Sequence, residues 1–319
     1  MNTASEHFSL TELAEGVFAA IATEAGGAFS NAGIIDLGDQ TLVFDTMNTP
    51  LAAKDLKQVA EELTGRHISY IVNSHWHSDH WMGNQVFPKS TMIFSTPETL
   101  EFMISELDEI HQSQSNHSNF RSLIETYEKL YNETKDESHK KNISDMISRW
   151  KFELDALPEL NPRLPNMTFD SKITFHGKNR VAELFASGKG HTISDVFLAL
   201  PEDQIVFWGD LGFFQCQPFI GSCDLEGWKL KILSMTNSLF KHFVPGHGPL
   251  GNQSDLHLEH QYMVTLEEKV REAFQGGMTV EDALSKISLP EPFNQWVAAS
   301  ARRFEANVRF LFQYFDDRM

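Results

Sequence analysis

Residues 75–80 read His75-Trp76-His77-Ser78-Asp79-His80, directly after a short apolar run, HISYIVNS, at 67–74. Imidazole and carboxylate are ligands for zinc and its neighbouring divalent metals. In an extended stretch, residues i and i+2 point the same way, so His75 and His77 can bind one metal together. Where the chain then turns into a helix, Asp79 and His80 leave its first turn in another direction and can serve a second. A lone histidine reads more simply as a surface or packing residue. Three histidines and an aspartate within six residues, after a buried strand, do not. Two sites cannot be completed from one loop, so further ligands are expected downstream.

Three candidates follow. In Ser187-Gly188-Lys189-Gly190-His191-Thr192, glycines flank a histidine and let backbone approach a crowded site. Phe207-Trp208-Gly209-Asp210 reads as an apolar strand ending in a carboxylate. Val244-Pro245-Gly246-His247-Gly248-Pro249 sets a last histidine in a Pro/Gly turn. Each reads as a strand end followed by a tight loop, where scaffolds carry functional groups. Singly, each has a plain structural explanation; together they supply the missing ligands.

Working outward, residues 8–48 alternate short apolar runs with Gly, Asn and Asp breaks, which predicts a meander of strands. Residues 50–65 begin with Pro and end with Gly, with Ala52, Leu56, Val59 and Leu63 at helical spacing. Strand, helix, strand in that order predicts a layered α/β fold. From about 97 to 165 the pattern becomes amphipathic at a period near 3.6, which predicts an inserted helical hairpin or small bundle. Strand-like runs return at SKITFHG, RVAELFA, DVFLALP and QIVFWGD, and after residue 252 the chain reads as helical again.

The 319 residues are 41% hydrophobic and 22% charged, an ordinary globular balance that can bury a core without disulfides. Two cysteines exclude a disulfide framework and a Cys-rich zinc finger. The formal charge of −18 would repel a phosphate backbone, which argues against a nucleic-acid partner. The N-terminus carries acids where a signal peptide needs bases, and no stretch approaches the length of a membrane span. A cytoplasmic protein with no membrane partner is expected.

The series H-x-H-x-D-H, G-x-G-H-T, strand-terminal Asp and P-G-H-G resembles the metallo-β-lactamase-fold hydrolase superfamily, over most of the chain to about residue 250. The resemblance implies an α/β fold: a four-layer αββα sandwich, metals at one edge between the sheets. Residues 1–319 would then be one domain, with a helical insertion at 97–165 and a helical C-terminal extension at 253–319. Carried over, His75, His77 and His191 would hold a first Zn2+. Asp79, His80 and His247 would hold a second, and Asp210 would bridge both. Mn2+ and Fe2+ are compatible alternatives. Asp45 resembles the aspartate that braces the metal loop. A binuclear centre, with metals roughly 3.5–4 Å apart, would use a bridging hydroxide as nucleophile, with Asp79 orienting it and passing a proton to the leaving group.

Asp at 210 resembles glyoxalase II, lactonases and broad ester or thioester hydrolases more than β-lactamases, leaving weak promiscuous β-lactamase activity as a secondary expectation. The lactonase tyrosine three residues later is Phe213 here, and Lys269, Arg271, Arg302 and Arg303 form no recognisable glutathione motif. The expected activity is hydrolysis of a small ester, thioester, lactone or amide-like substrate. The alternatives are a mononuclear iron sulfur dioxygenase of the same fold and a non-catalytic binding protein. The intact ligand set argues against both. Trp76, Trp81, Met82, Phe213, Phe214 and Phe219 are candidate pocket walls. Phe102, Met103, Tyr127, Tyr131 and Trp150 of the insertion read more simply as packing. Cys216 and Cys223 read as free thiols, and the Phe-rich final helix as packing on the sandwich or as a homodimer seam.

Overall fold

Alternating apolar residues build the first four strands. β1 (Phe8–Ala14), β2 (Val17–Ala22), β3 (Ala32–Asp36) and β4 (Thr41–Phe44) pair antiparallel in chain order as the expected meander. The computed structural model describes residues 5–296 and 303–318. α1 (Pro50–Thr64) starts on the Thr49 side chain, which accepts from Ala52 N, and has Pro in its first turn. It stops at Gly65, whose left-handed φ of 67° lets its N–H close on Glu61 O. That helix crosses back to β5 (Ile68–Val72), parallel to β4, and β6 (Met92–Ser95) and β7 (Met167–Thr168) continue in parallel. The result is a seven-stranded sheet in chain order.

Between β6 and β7 lie α2 (Pro97–Ser115), α3 (Ser118–Glu133) and α4 (Glu137–Ala156). These are the inserted helices, although helix ends with a 3-10 turn at Leu157–Glu159 and the chain then runs non-helical to β7. The second sheet has five strands in the order β12-β11-β10-β9-β8. β8 (Lys172–His176), β9 (Val181–Gly188), β10 (Asp195–Leu200) and β11 (Ile205–Phe213) are antiparallel neighbours. β12 (His242–His247) lies parallel to β11 and is reached through α5 (Leu225–Thr236). α6 (Gln253–Gln275), α7 (Val280–Lys286) and α8 (Arg303–Asp316) close the chain.

Three apolar clusters define the layers. Ala52, Leu56 and Val59 of α1 bury against Ile34, Val43, Ile71 and Ile93 on the outer face of the first sheet. Phe44, Val72, Leu184, Val196, Leu198 and Phe207 fill the space between the sheets. Trp228 and Ile232 of α5 and Leu256, Tyr262 and Leu266 of α6 cover the outer face of the second. At roughly 1.5–3 kcal/mol for each large side chain removed from water, these interfaces are what hold four layers in register. The chain is thus the expected αββα sandwich. α8 packs through Val308, Leu311 and Phe315 into the α5–α6 layer.

Polar ties fix the open edge where the metal-ligand candidates meet. Asn31 Nδ2 donates to Pro245 O and Gly248 O, and Asn31 N donates to Gly246 O at 2.8 Å, joining the β2–β3 loop to β12. Val196 N donates to Ser74 O at 2.8 Å, joining β10 to the segment after β5.

Candidate metal centre

The segment after β5 stays extended through His77 (φ −63°, ψ 139°) and then makes a single 3-10 turn, Ser78–His80, shorter than the expected helix. Asp79 and His80 nevertheless leave it in a different direction from His75 and His77. His191 lies in the β9–β10 loop, where Asp195 accepts from Thr192 N and Thr192 Oγ1. Asp210 was expected to end its strand, but β11 runs on to Phe213. The pairing with β12 slips at Gly209, whose φ is 55°. The slip turns the carboxylate toward the other sheet. His247 is the last residue of β12, and a Cβ on the preceding Gly246 would lie 1.8 Å from Asp210 Oδ1. Only glycine lets these two strands meet so closely.

All seven candidates come together. His75 Nε2 and His191 Nε2 each lie 3.0 Å from His77 Nδ1. Asp210 Oδ2 is 3.7 Å from His75 Nε2 and 3.3 Å from His191 Nε2, which makes one group. Asp79 Oδ2 is 3.4 Å from His247 Nε2 and 3.7 Å from His80 Nε2, which makes the second. Asp210 also reaches this second group, 3.3 Å from His247 Nε2 through Oδ2 and 3.1 Å from His80 Nε2 through Oδ1. It therefore stands between the two.

Hydrogen bonds on the far side of each ring fix which nitrogen faces inward. Asp45 accepts from Ser74 N and Ser74 Oγ, both at 2.7 Å. Its Oδ2 accepts a hydrogen bond from His80 Nδ1 at 2.8 Å. Because Ser74 Oγ spends its hydrogen on Asp45, it can only accept from His75 Nδ1, at 3.0 Å. His191 Nδ1 donates to Phe219 O at 3.0 Å. In His75 and His191 the Nε2 lone pair is thus left pointing into the centre, and His80 also turns its Nε2 there, the arrangement in which imidazole binds metal.

Burial pushes His75 and His191 well below the usual histidine range, and neighbouring His80 and His77 add to that in the two cases. His77 falls to about 4, again mainly by burial. His80 goes the other way: burial opposes its charge, but Asp210, Asp79 and Asp45 outweigh it and raise it well above. Burial likewise opposes the charge of Asp210, and His247, His80 and His75 overcome it, holding the carboxyl well below its usual range. Neutral imidazoles therefore face each other at 3.0 Å with no proton to share between every pair. His80 Nε2 and Asp210 Oδ1 are buried and face each other at 3.1 Å, with no other hydrogen-bond partner among the described residues. A cluster of converging imidazole and carboxylate lone pairs fits divalent cations.

Around the centre, Trp76 lies 4.3 Å from His77 and stacks on Phe102 of α2 at 5.2 Å, so both are wall residues. Trp81, Met82 and Met103 are core instead, and Tyr127 packs edge-on against Trp150 within the insertion. Tyr131 is exposed, under Lys140. Phe213 stacks on His247 at 4.9 Å, and Phe219 meets His77 at 5.9 Å. Cys216 and Cys223 are free thiols. A cavity of about 330 Å³ opens beside His247, lined also by Phe29, Arg149, Phe214 and Cys216. Arg271 is engaged with Glu267 and with Phe315, Lys269 makes no hydrogen bond or ion pair among the described residues, and Arg302 lies outside the described residues. Sequence reasoning missed Arg149, Ser74 and Glu153. Glu153, on α4, is lifted to about 7 by burial and then by Asp79. No local pattern marks Arg149 and Glu153, which the insertion brings here; Ser74 adjoins His75 and takes its role from Asp45.

Residues 25–257 match the family described as the metallo-beta-lactamase superfamily. Among solved structures, the chain is similar to the sec-alkylsulfatase Pisa1 from a Pseudomonas species, with TM-score 0.68 and 15% identity over 97% of this chain and 50% of that one. It spans half the length of that enzyme. A metallo-beta-lactamase from Pontibacter korlensis aligns at TM-score 0.55 and 19% identity over 80% of this chain and 99% of that one. The protein VMB-1 gives TM-score 0.55 and 18% identity over 82% and 98%. No curated protein sequence matches the chain.

Proposed function

The chain belongs to the metallo-beta-lactamase superfamily, and from that premise we propose that it is a di-zinc hydrolase of a small ester, thioester, lactone or amide-like substrate. The observation that carries this reading is the pair of ligand groups sharing Asp210. His75, His77 and His191 would hold one cation, and Asp79, His80 and His247 the other. The chemistry available when two such cations are bound is water activation near neutral pH and stabilisation of a developing oxyanion.

The chain's own residues do the rest. Asp45 and Ser74 keep His80 and His75 in the tautomer that presents Nε2. Asp79 is the more exposed carboxylate of the centre, its side chain 20% accessible against 3% for Asp210. It is therefore the group placed to hold a proton and hand it to a departing atom. Ser30 Oγ donates to Asp79 O at 2.6 Å and pins that residue's backbone. Trp76, Phe102 and Phe219 narrow the approach and exclude water from an apolar side of the substrate.

Metal analysis of protein purified without added metal tests the reading. About two zinc ions per chain are expected; a single iron would replace hydrolysis with dioxygenase chemistry. A panel of lactones, thioesters, carboxylic esters and β-lactams then defines the reaction, with alkyl sulfates included because of the likeness to the alkylsulfatase. His77→Ala and Asp210→Ala are each expected to abolish hydrolysis while leaving the fold. Activity that survives both would overturn the site assignment.

A further inference from the structure

Two arginines reach the mouth of the centre from the parts of the chain that decorate the sandwich. Arg149 comes from α4 of the insertion, Arg303 from the first position of α8. Arg149 is 8% exposed and lines the 330 Å³ cavity together with His247. Its guanidinium lies over the Phe29 ring at 4.9 Å, with Nη2 donating to Phe29 O at 3.1 Å. Its Nε has no partner among the described residues. Arg303 lies over Phe219 at 5.3 Å and Phe213 at 5.7 Å, the rings that flank His77, His191 and His247. Its hydrogen bond is a long one, from Nη1 to Gln217 O at 3.5 Å. Cys216 joins the two neighbourhoods: it lines the cavity and lies in the field of Arg303.

Among the described residues, neither arginine has a carboxylate within the 4 Å of an ion pair. Asp210 and Asp79 act on Arg303 only from farther away. Glu153 stands one helical turn from Arg149, and its burial favours the neutral acid. Glu24 also lines the cavity but is exposed to water. Guanidinium does not give up its proton in proteins, and a buried charge without a partner costs several kcal/mol. Two stacked, under-bonded guanidinium groups beside a centre built for cations have one economical occupant, an anion. Their planar forks match carboxylate, sulfate and phosphate oxygens.

We propose that Arg149 and Arg303 form an oxyanion clamp, so that the substrate carries an anionic group close to the bond that is cleaved. This rests on the hydrolase reading above and narrows its substrate class. The shared chemistry is a charged oxygen cluster. It belongs either to a side group, as in an ester bearing a free carboxylate, or to the reacting group itself, as in an alkyl sulfate or a phosphate monoester.

The test compares a neutral 4-nitrophenyl alkanoate, the same ester with a terminal carboxylate, 4-nitrophenyl sulfate and 4-nitrophenyl phosphate on the metal-loaded enzyme. At least one anionic substrate is expected to exceed the neutral ester in kcat/KM, and which one identifies the source of the anion. Loss of one charge-assisted contact in Arg149→Gln or Arg303→Gln should lower the anionic-to-neutral ratio roughly 10- to 100-fold. Arg303→Lys should recover part of it. The two variants alter different helices, so a folding failure in one leaves the other informative. Calorimetry with butanesulfonate, which cannot be hydrolysed, gives a second reading independent of turnover: binding should weaken in both glutamine variants. An active enzyme that prefers the neutral ester, or binds butanesulfonate equally well in wild type and both variants, overturns the clamp and leaves the hydrolase intact. No turnover of any ester, with butanesulfonate binding lost in the variants, overturns the hydrolase and keeps the clamp.

Discussion

Asp45 shows how one residue sets the chemistry of another that it never joins at a reaction. Its backbone holds a φ of 60°, in the left-handed region, a conformation Asp and Asn tolerate better than most. That geometry turns the carboxylate under the metal loop, where it binds Ser74 twice and His80 once. Asp45→Asn preserves the backbone preference but removes the charge and half the acceptor capacity, so His80 loses its orienting partner. Affinity at the site built on Asp79, His80 and His247 is expected to fall roughly 10- to 100-fold. Chelator competition reads this, and the other site should change less. An equal loss at both sites would mean that Asp45 supports the loop as a whole. In the sequence, Asp45 is a turn residue within VFDT; only the family resemblance singled it out. Arg149 carried no signal, because one arginine in an amphipathic helix is ordinary.

At the scale of elements, the strand ends do the positioning, and glycine decides how near they come. Gly246→Ala would drive a methyl into Asp210 Oδ1, so β11 and β12 must separate or the carboxylate must move. The variant is expected to lose metal at both groups as well as stability, measured as metal per chain and thermal midpoint. Gly65→Ala is the contrasting case. Its Cβ would meet nothing within 4 Å, but the left-handed φ costs roughly 1–2 kcal/mol. It should lower the midpoint and leave the metal content intact. A full metal complement in Gly246→Ala would contradict the strand pairing. The elements the sequence hid are those whose context is tertiary. α5 is legible afterwards from Asp224 capping Gly227 N, yet its apolar residues point several ways and Leu230 and Leu233 stay exposed. β6 and β7 are too short to carry an alternating pattern, and they exist because β5 offers an unpaired edge. The slip at Gly209 is invisible in a run that reads as uninterrupted apolar strand.

For the whole molecule, the centre is a clasp between two sheets. His75, His77, Asp79 and His80 hang from the first sheet, whereas His191, Asp210 and His247 belong to the second. Protein-only ties at this edge are few, chiefly those of Asn31 and Ser74. Bound cations would therefore stabilise the assembly of layers, by about 2.7 kcal/mol at a free concentration a hundred times Kd. Chelation is expected to lower the thermal midpoint and to speed amide exchange on both sides, around residues 75–80 and around 188–192 and 245–248. Faster exchange confined to the 75–80 segment would show that the second sheet holds its shape without help. The same scale explains where substrate selection comes from. The sandwich supplies the candidate ligands and the wall at Trp76, while the insertion and the C-terminal extension bring the two arginines, the wall at Phe102, and Glu153.

The sequence by itself determined the types and order of the candidate ligands and the layered fold. Strand periodicity, helix punctuation and closely spaced histidines are local properties, written within a few residues of one another. Tertiary structure alone decided that Asp210 sits mid-strand between two groups, that Asp45 and Ser74 set the histidine tautomers, and that two arginines without an ion-pair partner among the described residues face the centre. The Asp45 contacts span 29 to 35 residues, and the other two depend on segments about a hundred residues or more apart meeting at one sheet edge, held there by burial and by the close approach that Gly246 allows. No short-range pattern can encode a distance between partners that only packing brings together.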